Sequence, residues 1–176
     1  GYHTYDKKTK VKNTDIYDLA SITKVASSVV SLMKLEGEKR ISIDSGLSTY
    51  LSGLDTTAYN DMVIREMLAH QAGLVSWIPF FQKTMVKGQL KYDLYSRVRS
   101  EEYDIEVAKN IFISSTYPDT IVQRILTTKV GEKKYKYSDL GYYLLQRIIE
   151  KETGKGLEEY VSDNFYSKMG LSTMGY

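Results

Sequence analysis

A chain of 176 residues with 24 Lys and Arg against 22 Asp and Glu carries a net charge of +2, which suits one domain or most of one and argues against a dedicated nucleic-acid binder with a concentrated basic face. The absence of cysteine removes disulfides, thiolate catalysis and cysteine-type zinc sites, and two histidines, His3 and His70, are too few for a histidine-rich metal centre. A hydrophobic content of 42% can build a core, yet no run approaches the roughly 18 apolar residues needed to span a bilayer, and no signal-peptide pattern is visible in these residues.

Residues 1–12 alternate loosely and are rich in Tyr, Thr and Lys, which predicts a strand or hairpin followed by a turn at Asn13. From Ser21 the pattern changes. Ile22, Val25, Ala26, Val29 and Met33 recur at helical spacing and Gly37 offers a stop, so an amphipathic helix is predicted with that apolar face inward and Ser21 at its N-terminal edge. A short helix is predicted over 44–51, and another over 61–70 with Val63, Ile64, Met67 and Leu68 as its core stripe. Residues 74–110 suggest loops with one or two short helices; there Trp77, Phe80 and Phe81, around Pro79, either wall a pocket or join the core. Pro118 stands where a first-turn proline would open a helix containing Ile121, Val122, Ile125 and Leu126. An extended turn over 133–137 leads to a helix over 140–153 that ends at Gly154. Leu157, Tyr160, Val161 and Phe165 mark a last helix closing near Gly170. The sum is mostly helical with little strand. The 16 tyrosines read as half-buried side chains with their hydroxyls in water rather than as a stacking surface.

Three short segments bear chemistry. Ser21-Ile22-Thr23-Lys24 is an S-x-x-K at a predicted helix start, and residues three apart share a helix face, so the Lys24 amine can reach the Ser21 hydroxyl. A serine hydroxyl needs an adjacent base, and a lysine serves as one only if burial or neighbouring cations lower its proton affinity. Free N–H groups at the helix N-terminus would suit a developing oxyanion. The plainer alternative makes Ser21 a helix cap and Lys24 a solvated residue. In Tyr137-Ser138-Asp139, ahead of Leu140, the phenol can join proton transfer if an ammonium lies close; alternatively Tyr137 is a packed aromatic and Asp139 the helix cap. In Leu68-Ala69-His70-Gln71-Ala72-Gly73-Leu74, His70 invites a general-base role, but a histidine in the last turn before glycine is better read as structural, bonding loop carbonyls.

Taken in order, residues 17–24, 67–74, 137–142 and the tail 169–176 resemble the serine β-lactamase and penicillin-binding-protein superfamily, which includes class C β-lactamases, D-alanyl-D-alanine carboxypeptidases and related esterases. The resemblance covers nearly the whole chain. It implies an α+β, β-lactamase/transpeptidase-like fold, of which residues 1–176 are mostly the helical subdomain, truncated at both ends, with the main antiparallel sheet largely missing. It makes Ser21 the acylated nucleophile, Lys24 its base and Tyr137 the tyrosine of a Y-x-N motif. Asp139 stands where class C enzymes usually carry asparagine, a departure towards esterase-like and carboxypeptidase-like branches. It would orient Lys24 or the substrate amide. The family's third motif, K-[ST]-G or H-x-G, does not follow Tyr137: Thr153-Gly154-Lys155-Gly156 has the wrong order, and Lys129-Val130-Gly131 precedes the tyrosine.

The expected reaction is acyl transfer from an amide, ester or β-lactam carbonyl to Ser21, with no metal or organic cofactor and a small-molecule or peptidoglycan-derived substrate. The opening Gly1-Tyr2-His3-Thr4-Tyr5-Asp6 also resembles β-lactamase-like domains fused behind a β-N-acetylglucosaminidase, which would place the parent in the periplasm or cell envelope. The rival expectation is a non-catalytic module that binds peptidoglycan stems or packs against a fused enzyme.

Overall fold

The computed structural model describes residues 1–175; Tyr176, the last residue of the tail motif, lies outside them. The elements follow in chain order. A π-helical segment, Lys24–Val29, runs directly into α1, Val30–Gly37. A 3₁₀ turn at Leu47–Thr49 and the short α2, Ile64–Leu68, come next. A second 3₁₀ turn, Phe80–Thr84, leads into five strands: β1 Met85–Val86, β2 Gln89–Leu90, β3 Tyr95–Ser96, β4 Ile105–Ala108 and β5 Ile111–Ile113. Then α3 Tyr117–Leu126, α4 Leu140–Thr153 and α5 Leu157–Val161 follow, with a π-helical extension at Ser162–Tyr166.

The core is organised around α4. Leu140, Leu144, Leu145, Ile148 and Ile149 recur at helical spacing and are fully buried. Against them pack Leu32 and Leu35 of α1, Ile64 and Met67 of α2, Ile125 of α3 and Val161 of α5. Gly154 closes α4 in the left-handed region, at φ 70°, and its N–H donates to the Glu150 carbonyl, a common helix stop. Pro118 lies in the first turn of α3, where its missing N–H costs nothing. Tyr59 is buried, and its phenol donates to the Ile125 carbonyl at 2.7 Å; burial pushes its pKa up to about 12.

The expected helices over 140–153 and after Pro118 are present, and so is the last helix as α5 with its extension. Elsewhere the structure corrects the reading. Residues 44–51 hold only a 3₁₀ turn, and the helix expected over 61–70 shortens to Ile64–Leu68. Residues 1–12 do form the expected hairpin, as a single antiparallel bridge, Tyr2 to Lys10, flanked by bonds from His3 N–H to the Thr9 carbonyl and Val11 N–H to the Gly1 carbonyl, with the turn at Asn13 after it. The segment 74–110, read as loops and short helices, holds four of the five strands: the β1–β2 hairpin, and β3 and β4, which flank β5 just beyond it in an antiparallel sheet of order β3–β5–β4 with a bulge between Glu106 and Ala108. Phe80 joins the core, whereas Trp77 and Phe81 stay more than half exposed.

The largest correction concerns the helix after Ser21. Its inward face is Ser27, Ser28, Ser31, Leu32 and Leu35, while Ile22, Val25 and Met33 are 62%, 60% and 68% exposed. Periodicity located an amphipathic stripe correctly but not the side that the described residues cover. The small serines instead let the helix sit close against α4 and α5.

Candidate active site

The chain reaches Ser21 through a strained corner. Ala20 adopts φ 45°, unusual for a residue with a side chain, and its N–H donates to the Asp18 carboxylate at 2.7 Å. The Ile22, Thr23 and Lys24 N–H groups then close tight turns onto the Leu19, Ala20 and Ser21 carbonyls. These three donors are therefore occupied, which corrects the expectation of free first-turn N–H groups for an oxyanion. Beyond them the helix widens into its π-segment. There the Ser27 hydroxyl donates back to the Thr23 carbonyl at 2.6 Å, the kind of back-bonding that distorts a helix, and π-segments are frequent at functional sites.

Ser21 does not act as a side-chain cap; its Oγ accepts a hydrogen bond from Lys24 Nζ at 3.1 Å. Lys24 is not solvated either. Its side chain is 17% exposed, and Nζ lies 2.7 Å from Asp139 Oδ1. Asp139 sits at the N-terminal flank of α4 but makes no side-chain cap bond there. The capping acceptor is Ser138, whose Oγ receives the Leu140 N–H at 3.1 Å, and that frees the Asp139 carboxylate for Lys24. The ammonium also stands 5.3 Å and 5.6 Å from the ring centres of Tyr137 and Tyr142, within cation–π range. The four residues singled out from the sequence, Ser21, Lys24, Tyr137 and Asp139, thus converge from two segments more than 110 positions apart in the chain. Ser21, Lys24 and Asp139, with Tyr142, Tyr143 and Gln146, line a cleft of about 320 Å³.

The electrostatics assign opposite tendencies to the two candidate bases. Burial works to lower the pKa of Lys24, but hydrogen bonds and charge from Asp139 and Tyr137 outweigh it, so the pKa is raised and the amine is held as an ammonium. Tyr137 is shifted the other way: a hydrogen bond from Ser21, then one from Lys24, pull its pKa below that of a free phenol.

A seam of hydrogen bonds attaches the tyrosine segment to the end of α2. The Gly131 N–H donates to the Gly73 carbonyl, Lys136 N–H to the His70 carbonyl and Asp139 N–H to the Ser76 carbonyl, each at 2.8 Å. Ser138 Oγ adds a bond to the Val75 carbonyl at 2.6 Å. The segment 70–76 is therefore the scaffold on which Tyr137 and Asp139 are hung. His70 takes part through an acceptor nitrogen, not as a donor to loop carbonyls: its Nδ1 receives the Ser138 N–H at 3.2 Å.

The whole chain, residues 1–176, matches the Beta-lactamase family. Among curated proteins it is similar to an N-acetylmuramyl-L-alanine amidase of Bacillus subtilis (strain 168), 28% identical over 94% of this chain and 34% of the relative. It is also similar to a teichoic acid D-alanine hydrolase of Staphylococcus aureus, 27% identical over 97% of this chain and 34% of the relative. The chain thus spans about a third of the curated relatives it matches. Among solved structures, FmtA of Staphylococcus aureus superposes with a TM-score of 0.65 at 21% identity, over 97% of this chain and 39% of that one, a likeness of fold. With its family matched end to end and its fold shared, the chain belongs to the beta-lactamase family.

Proposed function

We propose that this chain carries the nucleophile of a serine hydrolase, with Ser21 attacking an amide, ester or β-lactam carbonyl, Tyr137 accepting the serine proton and Lys24 acting throughout as an ammonium. The observation that carries this reading is the cluster itself, with Lys24 Nζ 3.1 Å from Ser21 Oγ and 2.7 Å from Asp139 Oδ1 and beside the Tyr137 ring; the opposed shifts, Tyr137 lowered and Lys24 raised, favour the tyrosine as proton acceptor. A lysine held as an ammonium has no lone pair with which to take a proton. Because Lys24 donates to Ser21 Oγ, the hydroxyl hydrogen is free to point at the Tyr137 oxygen, which accepts the proton in its ionised form. The bond from Oγ to the carbonyl carbon forms as that proton moves to Tyr137. The tetrahedral intermediate collapses by expelling the leaving group, which takes the proton back from the phenol. Water then attacks the acyl-serine, gives its proton to Tyr137, and Ser21 leaves with it. Asp139 keeps Lys24 charged and in place.

Membership of a hydrolase family supports the class of reaction, and the names of the relatives, an amidase and a D-alanine hydrolase of teichoic acid, support a substrate drawn from cell-wall polymers and a location in the envelope. The test is intact mass after incubation of the full-length protein that contains this chain with a β-lactam and, separately, an activated ester, with Ser21→Ala as control. The expected result is an acyl adduct that is lost in the control. An adduct retained in Ser21→Ala, or none from either probe in folded protein, overturns the assignment and favours the binding module.

A further inference from the structure

Tyr137 is 41% exposed and sits on a loop, yet its proposed role demands a fixed phenol. Besides the contacts of its hydroxyl with Ser21 and Lys24, the residues around it are held to the segment that follows α2, and His70 makes two of those bonds as well as touching the Tyr137 ring. His70 bonds the residue on each side of Tyr137: its carbonyl accepts the Lys136 N–H at 2.8 Å and its Nδ1 accepts the Ser138 N–H at 3.2 Å. Its ring lies against the Tyr137 ring, with centres 4.4 Å apart and planes tilted by 39°. Tyr142 at 5.6 Å and Tyr135 at 6.4 Å flank the same imidazole. To make all these contacts His70 adopts φ 56°, a left-handed conformation that costs on the order of 1–3 kcal/mol and persists only where surrounding contacts over-determine it.

We propose that His70 is a positioning residue for Tyr137, a three-point clamp of carbonyl, Nδ1 and ring face that holds the phenol against Ser21 and Lys24. The inference rests on the reading of Tyr137 as the proton acceptor. It requires the neutral imidazole with its hydrogen on Nε2, because only an unprotonated Nδ1 can accept the Ser138 N–H. The groups facing the ring are Lys24 from the first helix, Asp139 and Tyr142 at the start of α4, and Tyr135 and Tyr137 from the loop. Burial, and then the charge of Lys24, hold the pKa of His70 below the ordinary 6.5. The clamp is therefore complete above pH 6.5 and opens as the pH falls through the His70 titration below it, when Nδ1 becomes a donor facing another donor.

Two variants separate the contributions. His70→Phe keeps a ring but removes the acceptor. His70→Asn keeps an acceptor near the Nδ1 position and suits a positive φ. Acylation of Ser21 by a β-lactam, followed from pH 4.5 to 9 in the full-length protein, should slow roughly 10- to 100-fold in His70→Phe, the scale set by a misplacement of about 1 Å. His70→Asn should retain rates within about tenfold of the parent and lose only the steeper fall below pH 6.5, while the rise of the rate with Tyr137 ionisation remains. A second readout does not need catalysis: the titration of Tyr137, followed by NMR on ¹³C-labelled tyrosine with Tyr137→Phe to assign the signal. It should move towards that of a free phenol in His70→Phe as the oxygen leaves Ser21 and Lys24. A Tyr137 titration unchanged in His70→Phe, or a fall below pH 6.5 as steep in His70→Asn as in the parent, overturns the clamp. If the parent takes no probe at all, the catalytic reading falls while the Tyr137 titration still decides the clamp. If His70→Phe does not fold, the steepness of the fall below pH 6.5 in His70→Asn decides it.

Discussion

At the scale of single residues, the division of labour proposed for Lys24 and Tyr137 turns on one carboxylate. Asp139 lies 2.7 Å from Lys24 Nζ, and its hydrogen bond and charge help raise the lysine pKa above 10.5. The same charge acts against ionisation of Tyr137, although Ser21 and Lys24 outweigh it. Acylation should therefore rise with pH as Tyr137 loses its proton, at a pH below that of a free phenol, and fall again once Lys24 loses its own above 10.5. In Asp139→Asn the hydrogen bond and charge of Asp139 no longer raise the Lys24 pKa, and the charge opposing ionisation of Tyr137 disappears, so both limbs of the profile should shift to lower pH. A profile of the acylation rate against pH reads this directly, and limbs that stay in place would contradict the role given to Asp139. Tyr137→Phe, which keeps the ring packed on His70, should cost about 10²- to 10⁴-fold in the same assay, the usual span for a general base. That Ser21, Lys24, Tyr137 and Asp139 lie together was legible in the sequence; the roles proposed for them were not. S-x-x-K and Y-S-D name the participants, but whether lysine or tyrosine holds the proton depends on 2.7 Å and 3.1 Å separations that spacing along the chain does not encode.

At the scale of elements, the seam between α2 and the tyrosine loop makes a prediction about a glycine outside the cleft. Gly73 has φ 75°, and a Cβ placed there would stand 2.4 Å from the Gly131 carbonyl oxygen, a backbone atom that cannot swing aside. Gly73→Ala should destabilise the fold by about 1–3 kcal/mol from backbone strain alone. It should also slow acylation, because the carbonyl of Gly73 anchors the loop that carries Tyr137. Urea denaturation together with the acylation rate tests both halves; an unchanged rate in folded protein would show that the seam does not position the loop. Elements differ in how far the sequence discloses them. The fourteen residues of α4 contain enough helical turns for periodicity to fix both ends, with Gly154 as the stop. Strands of two to four residues hold too few alternations to register. Their turns were the better signal: Lys87-Gly88 and Asn110 all have positive φ, as hairpin connections require, and the Asn110 N–H is tied to the Glu106 carboxylate. The six-residue π-segment left no trace in the pattern, because a hydroxyl at Ser27 is also consistent with an ordinary helix.

At the scale of the whole molecule, the helix after Ser21 carries two apolar populations with opposite fates. Leu35 is fully buried against α4 and its neighbours, whereas Ile22, Val25 and Met33 lie on a face that none of the described residues covers. Hydrophobic stabilisation follows the area withdrawn from water, so the two sets should respond to substitution very differently in this chain although both are aliphatic. Leu35→Ala removes methyl groups and leaves a cavity, and should cost about 2–5 kcal/mol. Ile22→Gln, Val25→Gln and Met33→Gln exchange exposed side chains for a good helix former, and each should change stability by no more than about 0.5 kcal/mol. The triple variant should also associate less at high concentration, since a contiguous exposed apolar stripe favours contact between copies. Urea denaturation of residues 1–176, with sedimentation velocity over a concentration series, distinguishes the cases. A loss of several kcal/mol from the three glutamine substitutions would mean that the stripe is buried in solution, as the periodicity by itself suggested.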